Sequence, residues 1–447
     1  MAQRRFLDRL RRRGVRRTPG KVSLDVAPGL PERDAARMRE VVSDLLQLHD
    51  TMSQRAEAAA IADAYVTLSD SGRRNFLVML VREFWTDEKA VDEAMRELRL
   101  SDDRRGAEQR LRDALTPPAN ALLHLFTSLD GGVKFLVDLR ADVLQLADDD
   151  GELLDLDREL KAHIATLFDV GLLTLRRITW EQSSAALLEK LIAYEAVHAI
   201  SSWDDLKNRL DSDRRCYAFF HPAMPNEPLV FVEIALTSGL ATSLPPLLDA
   251  KAPDVDLEQA ETAVFYSISN CQRGLAGVNL GTALIKQVVE SLRRDLPQLH
   301  RFVTLSPIPG FRGWLENELA NGAANLRAGE RDLLPAEPAR VIARLESAEW
   351  ETDEAIRPVL LALTARYLTS ADHGRVVDPV ANFHYSNGAA IERINWLADP
   401  SPTGRARSFG LMANYLYEND AIAQRAEAYA AAGEVAASNS VRDLLAS

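Results

Sequence analysis

The chain has 447 residues, of which 47% are hydrophobic and 27% charged, as is typical of a globular protein with room for two or three domains. Its formal net charge of −13 argues against nonspecific nucleic-acid binding, although an acidic protein can still hold a local basic pocket for an anion. No window approaches the run of about 18 apolar residues that a membrane span requires, so we expect no membrane partner.

The cysteines and the N-terminal segment indicate where the protein works. Cys216 and Cys271 give neither a disulfide framework nor a metal-ligand spacing, which favours a reducing compartment and argues against structural zinc. The arginine-rich start, residues 1–17, contains Asp8 and lacks the serines of a mitochondrial transit peptide. We therefore expect a solvated basic arm there rather than a targeting segment.

The first third of the chain shows a helical pattern almost throughout. One clear stripe recurs at helical spacing, formed by Phe76, Leu77, Leu80, Val81 and Phe84. Thr116 followed by two prolines predicts the start of another helix, Asp130-Gly131 predicts its end, and a further helix is predicted to end near Gly151. Residues 1–175 are thus predicted to form a helical bundle.

The pattern changes after Trp180. Four short apolar segments, rich in β-branched and aromatic residues and bounded by Pro, Gly or Asn, predict strands at 215–220, 229–236, 263–269 and 301–305. A helix is predicted at 281–296 and a terminal helix in the tail from about 421. Residues 176–447 are therefore predicted to form a mixed α/β domain built on a sheet.

A glycine-rich segment between the third strand and the following helix gives the clearest ligand-binding signal. In residues 270–286, Gly274, Gly277 and Gly281 would let backbone N–H groups approach an anion, and the helix N-terminus adds partial positive charge. The segment is neither a P-loop nor a GxGxxG fingerprint, and its placement resembles the pyrophosphate loop of acetyltransferase-like folds. The loop alone is equally compatible with a strand-to-helix turn that binds nothing.

Three single residues could carry chemistry. Ser306 opens the rigid turn 306–311, where a serine commonly caps its own backbone. A histidine such as His384 can exchange a proton near neutral pH, although a structural role is the more common one, and we expect such a role for His221. Tyr417 lies among aromatic residues near the chain end, where packing is the usual function. Spacing alone assigns none of these roles.

Four blocks taken together resemble the malonyl-CoA decarboxylase family: residues 214–237, 263–286, 304–315 and 378–417. The resemblance covers essentially the whole chain, and the SPIPGF and VANFH blocks are its most specific parts. It implies an N-terminal helical oligomerisation domain and a catalytic domain of the acetyltransferase-like (GNAT-type) fold. It further implies conversion of malonyl-CoA to acetyl-CoA and carbon dioxide, in fatty acid metabolism, without metal or organic cofactor.

The resemblance also implies roles for individual residues. Ser306 would engage the malonyl group, His384 would donate a proton, and Tyr417 would belong to the same site. The CoA pyrophosphate would lie on a loop of seven residues: Ala276, Gly277, Val278, Asn279, Leu280, Gly281 and Thr282. The family implies a homotetramer built as a dimer of dimers. Because the C-terminal Leu-Ala-Ser is not a peroxisomal signal, we expect a bacterial-type cytoplasmic enzyme.

The chemistry matches these residue types. Loss of carbon dioxide leaves an enolate, whose oxygen needs hydrogen-bond donors and whose carbon needs a proton from an acid such as His384. Ser306 could bond the departing carboxylate, bond the enolate oxygen or orient His384. We also expect activity to follow one ionisation near neutral pH. A CoA-dependent acyltransferase of the same fold and a non-catalytic CoA-binding protein are the alternatives.

Overall fold

The structure is a computed structural model that describes residues 24–147, 151–252, 255–278, 280–321, 344–345, 348–372 and 374–446. The chain divides into two compact units. The first runs to Thr174 and includes Phe219–Val230 and Asn270–Leu280, whereas the second takes the remainder. Within the described ranges, no helix combines the length and apolar character that crossing a bilayer demands. The predicted domain boundary at residues 175 and 176 stays a prediction.

The helical character predicted for the first third is confirmed. Its helices are α1 (Glu32–Gln47), α2 (Thr51–Thr67), α3 (Asp70–Glu83), α4 (Glu88–Leu100), α5 (Arg104–Leu115), α6 (Ala119–Thr127), α7 (Gly132–Leu146) and α8 (Leu154–Leu167). The predicted stripe on α3 is buried at Phe76, Leu77 and Leu80. The helix predicted to have its N-cap at Thr116 begins two residues later than expected, with Pro118 at the N-cap and Ala119 as its first residue.

The mixed α/β character of the later residues is also confirmed. The strands are β1 (Thr174–Ile178), β2 (Arg214–His221), β3 (Met224–Thr237), β4 (Thr262–Asn270), β5 (Arg301–Thr304), β6 (Ser306–Pro307), β7 (Ala371–Asp372), β8 (Arg375–Val376), β9 (Ala390–Asn395) and β10 (Met412–Leu416). All four predicted strands are present, as β2, β3, β4 and β5. In the described residues eight strands form one sheet, and β7 pairs with β8 separately.

The remaining helices connect and cover these strands. They are α9 (Ala185–Tyr194), α10 (Trp203–Arg209), α11 (Pro245–Leu248), α12 (Gly281–Asp295), α13 (Phe311–Ala320), α14 (Ile356–Thr369), α15 (Pro379–Ser386), α16 (Pro402–Ser408), α17 (Asn419–Ala432) and α18 (Asn439–Ala446). The single terminal helix predicted for the tail is wrong. Gly433 adopts φ 67° and ends α17, since a glycine in the left-handed region stops a helix without steric cost.

The strand β10 organises the part of the sheet that matters for function. It pairs antiparallel with β9 on one side, and on the other with β5 (Leu416 opposite Val303) and β6 (Ala413 opposite Ser306) in a single register. The strand of β5 therefore continues through Leu305 into Ser306 and Pro307 before Pro309 and Gly310 turn the chain. Ser306 belongs to this strand and not to the turn.

One face of this part of the sheet forms an apolar core. Val303, Leu305 and Met412 point to this face, where they pack with residues of β3, of β4, and of α11 and its N-cap, namely Ala235, Val264, Tyr266, Leu244 and Leu247. Because side chains alternate along a strand, the residues between them point to the opposite face. That opposite face carries the candidate site.

Candidate active site

Alternation along two paired strands brings four polar side chains to one face of the sheet. Thr304 and Ser306 are two apart on the continued strand of β5, and Tyr415 and Tyr417 are two apart on and just after β10. The register places Thr304 opposite Tyr415, whose backbone N–H donates to Thr304 Oγ1 over 3.3 Å. Tyr417 N–H donates to the Phe302 carbonyl over 2.9 Å, which extends the ladder to Tyr417.

Helix α15 brings His384 onto this face. Asp378 caps the helix by accepting hydrogen bonds from Val380 N–H (3.0 Å) and Ala381 N–H (2.9 Å), a type of cap that contributes about 1 kcal/mol. At its other end Gly388, with φ 76°, turns the chain so tightly that a Cβ would lie 2.1 Å from the Ile422 carbonyl oxygen. The imidazole of His384 stacks on the Tyr415 ring with centroids 4.3 Å apart.

These side chains form one continuous chain of hydrogen bonds. Tyr417 OH lies 2.8 Å from His384 Nδ1, and His384 Nε2 lies 3.0 Å from Ser306 Oγ. Ser306 Oγ in turn donates to Thr304 Oγ1 over 2.8 Å. All four side chains are buried, the most exposed being Ser306 at 6%. The structure therefore brings together the three site residues that resemblance indicated and adds Thr304.

Counting hydrogens along this chain assigns the direction of every donor. Ser306 has one hydroxyl hydrogen, which it donates to Thr304, so the hydrogen between Ser306 and His384 belongs to Nε2. A neutral imidazole carries one N–H, and Nδ1 must then accept from the Tyr417 hydroxyl. The donors thus run in one direction, from Tyr417 through His384 and Ser306 to Thr304.

Burial fixes the protonation states of the site. It lowers the pKa of His384 to about 3, because a charged imidazolium loses its hydration there, and the ring is neutral at physiological pH. Burial also raises the pKa of Tyr417 well above its usual value, with a smaller opposing effect from a hydrogen bond to Asn387. The expected dependence of activity on one ionisation near neutral pH stays a prediction.

The turn after Ser306 packs against Tyr367, which is hydrogen-bonded to Asp378, the residue that caps α15. A Cβ on Gly310 would lie 2.2 Å from the Tyr367 hydroxyl, so no larger residue fits without displacing that ring. Tyr367 OH donates to Asp378 Oδ2 over 3.1 Å, and burial is the main cause that raises the pKa of Asp378. Asp378 thus ties the turn after Ser306 to the helix that carries His384.

The glycine-rich segment folds as a turn pinned to the helical region. Ala276 (φ −54°, ψ 128°) and Gly277 (φ 75°) are the central residues of a type II turn, closed by Val278 N–H donating to the Leu275 carbonyl over 2.9 Å. Gly274 lies against α7 so closely that a Cβ would be 1.8 Å from the Val137 carbonyl oxygen. Both glycines are therefore required by local geometry.

The remaining loop residues are placed as follows. Gly281 opens α12, and a Cβ there would lie 2.7 Å from the ring of Phe383, the neighbour of His384. Leu280 is buried, whereas Ala276 and Gly277 are exposed. Asn279 and the side chain of Thr282 lie outside the described residues. The end of the loop at Gly281 is thus adjacent to the helix that carries His384.

Sequence reasoning missed several residues of these two regions. Thr304 stands two residues before Ser306, so strand alternation could have predicted that the two hydroxyls meet. Arg140 of α7 left no such signal, because it contacts the loop more than 130 residues away: Nη1 donates to the carbonyls of Gly274 and Ala276, each over 2.7 Å. The structural role expected for His221 is confirmed by bonds to the Leu167 carbonyl and to Ala223 N–H.

Comparison with known proteins assigns the chain to a family. Models of the malonyl-CoA decarboxylase N-terminal and C-terminal domains match residues 84–168 and 171–447. "Malonyl-CoA decarboxylase, mitochondrial" from Anser anser anser is 37% identical, over 93% of this chain and 90% of its own. The crystal structure of malonyl-CoA decarboxylase from Rhodopseudomonas palustris has a TM-score of 0.84 at 38% identity, and that from Agrobacterium vitis 0.83 at 39%; each match covers 92% of this chain and 99% of the other. The chain therefore belongs to the malonyl-CoA decarboxylase family.

Proposed function

We propose that the protein decarboxylates malonyl-CoA to acetyl-CoA and carbon dioxide, and that it does so at the face carrying Ser306, His384 and Tyr417. The observation that carries this proposal is the buried, one-directional chain of donors that ends at Ser306. Membership of the malonyl-CoA decarboxylase family supports the reaction, and the chain of donors supplies the kind of chemistry that the reaction needs.

The first step breaks the bond between the malonyl carboxylate and the α-carbon. Its electron pair moves onto the thioester and gives an enolate, with the negative charge mostly on oxygen. A buried site favours this step because few waters compete with the fixed protein dipoles around the developing charge. Neutral histidines are suited to such sites, since the neutral imidazole N–H donates a hydrogen bond without the cost of burying a cation.

The second step returns a proton to the carbon. We assign it to the donor chain: the Ser306 hydroxyl turns from Thr304 to the substrate and gives its proton to the enolate carbon. The proton on His384 Nε2 then passes to Ser306 Oγ while the Tyr417 hydroxyl proton passes to Nδ1. Before the next turnover the Nδ1 proton returns to the Tyr417 oxygen and Nε2 takes up one proton from water, which restores the starting tautomer. One proton is consumed per turnover, which balances the loss of the carboxylate charge. A positioned donor of this kind contributes about 10² to 10⁴ in rate.

The CoA part of the substrate is assigned to the loop from Ala276 to Thr282. Two observations support this: Gly277 lets a ligand approach the backbone closely, and Gly281 opens α12 beside Phe383, next to His384. The partial positive charge at the start of α12 favours a phosphate there. The thioester would then extend from Gly281 towards His384.

The test is incubation of the purified protein with malonyl-CoA and no acceptor, in heavy water. We expect equal amounts of carbon dioxide and acetyl-CoA, with one deuterium in the acetyl methyl group. If malonyl-CoA stays intact until an amine is added and the malonyl group then appears on the amine, the protein is an acyltransferase. Binding of CoA with no turnover under either condition would identify a non-catalytic CoA-binding protein.

The assembly and location of the protein are part of the same proposal. We propose a homotetramer, built as a dimer of dimers through residues 1–175, in the cytoplasm, with a role in fatty acid metabolism. Sedimentation of the full chain should give the mass of four chains of 49.5 kDa, and it should give a smaller mass after removal of the helical region. A single-chain mass for the intact protein would contradict this assembly.

A further inference from the structure

A lysine of the helical region stands beside the glycine turn. Lys161 lies on α8, and a Cβ built on Gly277 would be 2.8 Å from its Nζ and 3.1 Å from its Cε. The ammonium group therefore lies directly over the one position of the turn that lacks a side chain. Lys161 itself is exposed, and no carboxylate of the described residues lies within ion-pair distance of it.

The helix α8 carries a second residue that acts on the same turn. Asp157 is four residues before Lys161, so the two side chains share one face of the helix. Asp157 Oδ1 accepts from Arg140 Nε over 2.8 Å, and Arg140 Nη1 donates to the carbonyls of Gly274 and Ala276. Through Arg140, Asp157 fixes the turn against α8, the helix that also carries Lys161.

The bonds from Arg140 also decide which groups of the turn face outward. The carbonyl of Ala276 and the N–H of Gly277 belong to the same trans peptide and point in opposite directions. Arg140 takes the carbonyl, so the N–H points away from Arg140 at an exposed residue. Among the described residues this N–H has no acceptor. An unpaired donor and an ammonium group thus lie at the same turn.

We infer that Lys161 binds a phosphate group of the CoA substrate together with the Gly277 backbone. The inference rests on the proposed function, because it assigns a further residue to the same substrate. A carbonyl oxygen facing the ligand would repel a phosphate, and Arg140 removes two of them, whereas the ammonium group attracts it.

The test compares Lys161→Gln with wild type on two thioesters. One is malonyl-CoA, and the other is malonyl-pantetheine, which has the same reacting end but no phosphate. We expect the variant to raise KM for malonyl-CoA about 5- to 30-fold, the range for a charged hydrogen bond at a partly exposed site, with kcat unchanged. Its KM for malonyl-pantetheine should equal that of wild type.

Two matched variants act as controls. Lys161→Arg keeps the charge and should stay within about threefold of wild type on both thioesters. Lys89→Gln makes the same charge change at an exposed lysine of α4, and it should leave both KM values unchanged. A third thioester, malonyl-dephospho-CoA, shows which phosphate Lys161 contacts. If Lys161→Gln raises KM for it as much as for malonyl-CoA, the contact is with the pyrophosphate; if KM for it does not rise, the contact is with the 3′-phosphate. Both results support the inference.

The inference is overturned if Lys161→Gln raises KM equally for malonyl-CoA and malonyl-pantetheine, or for neither. Failure of the proposed function would look different, because wild type itself would then release no carbon dioxide from either thioester. In that case calorimetry with CoA and pantetheine still tests Lys161. A CoA affinity that falls in Lys161→Gln supports the contact, and an unchanged affinity overturns it.

Discussion

The two regions of the proposed site are built in opposite ways. Ser306, His384 and Tyr417 are side chains from three separate parts of the sequence, buried together, and connected only by hydrogen bonds and ring stacking. The turn at Gly277 is a run of neighbouring residues, exposed, and shaped by backbone geometry. Proton transfer needs a dry and exact arrangement, whereas binding a large anion needs an accessible one. Changes to the first region should therefore alter kcat, and changes to the second should alter KM.

The largest expected effect is that of His384→Gln. The variant keeps a polar side chain of similar length but interrupts the donor chain, so kcat should fall about 10²- to 10⁴-fold with CoA affinity unchanged. Turnover of malonyl-CoA and inhibition by free CoA measure the two quantities, and thermal unfolding checks that the fold is intact. Near-normal kcat would exclude His384 from the chemistry, and Ser306→Ala should give a loss of the same order.

The next effect concerns Thr304, which holds the Ser306 hydrogen. In Thr304→Val that acceptor is lost, so Ser306 donates to His384 Nε2 and the imidazole changes tautomer, reversing the donor chain. We expect kcat to fall about 10- to 100-fold with KM unchanged, as for loss of one well-placed donor.

Thr304→Ser is the matched control because it keeps the hydroxyl, and it should restore kcat to within a few-fold. An equal loss in Thr304→Ser and Thr304→Val would show that packing, and not the hydrogen bond, is what Thr304 contributes.

The dependence of folding stability on low pH tests whether water is excluded from the site of Ser306, His384 and Tyr417. Above the unfolded pKa of about 6.5 His384 is neutral in both states. As the pH falls below that value the unfolded chain binds a proton that the folded protein, with a His384 pKa of about 3, does not, so the folding equilibrium constant falls about tenfold per pH unit. His198, whose pKa burial lowers to about 4, adds in the same direction.

Urea unfolding between pH 6.5 and 4.5 measures this slope. His384→Gln should reduce it by about one proton relative to wild type. His49→Gln, at an exposed histidine, serves as the control for the substitution itself. If the wild-type and His384→Gln slopes agree, the site is hydrated and the neutral-histidine mechanism is wrong.

The smallest effect is expected for Gly277→Ala. The new Cβ meets the flexible end of Lys161 and not a rigid group, and φ 75° adds a strain of about 1 kcal/mol or more. KM for malonyl-CoA should rise about 3- to 10-fold with kcat preserved. Gly239→Ala, where nothing lies within 4 Å of the new Cβ, is the control. A fall in kcat without a change in KM would contradict the division between the two regions.

Much of the fold was predictable because it depends on local pattern. The apolar β-branched run at 229–236 is typical of a strand, and the apolar residues on α3 recur at the spacing of a helix that buries one face. The glycine loop was likewise visible as a loop, since Gly277 and Gly281 mark positions where a side chain is excluded. The prediction of a single helix for the terminal tail was wrong because one glycine, Gly433, ends the helix although the composition of the sequence does not change there.

The sequence by itself determined the elements, the glycine turn and the family, through its periodicity, its glycines and its four characteristic blocks. Only the tertiary structure decided what these residues do together. Strand register placed Thr304 opposite Tyr415, packing of α15 buried His384 and made it neutral, and α8 brought Lys161 to Gly277. The physical reason is that pKa values and hydrogen-bond directions depend on neighbours distant in the chain, whereas secondary structure depends mainly on neighbours close in it.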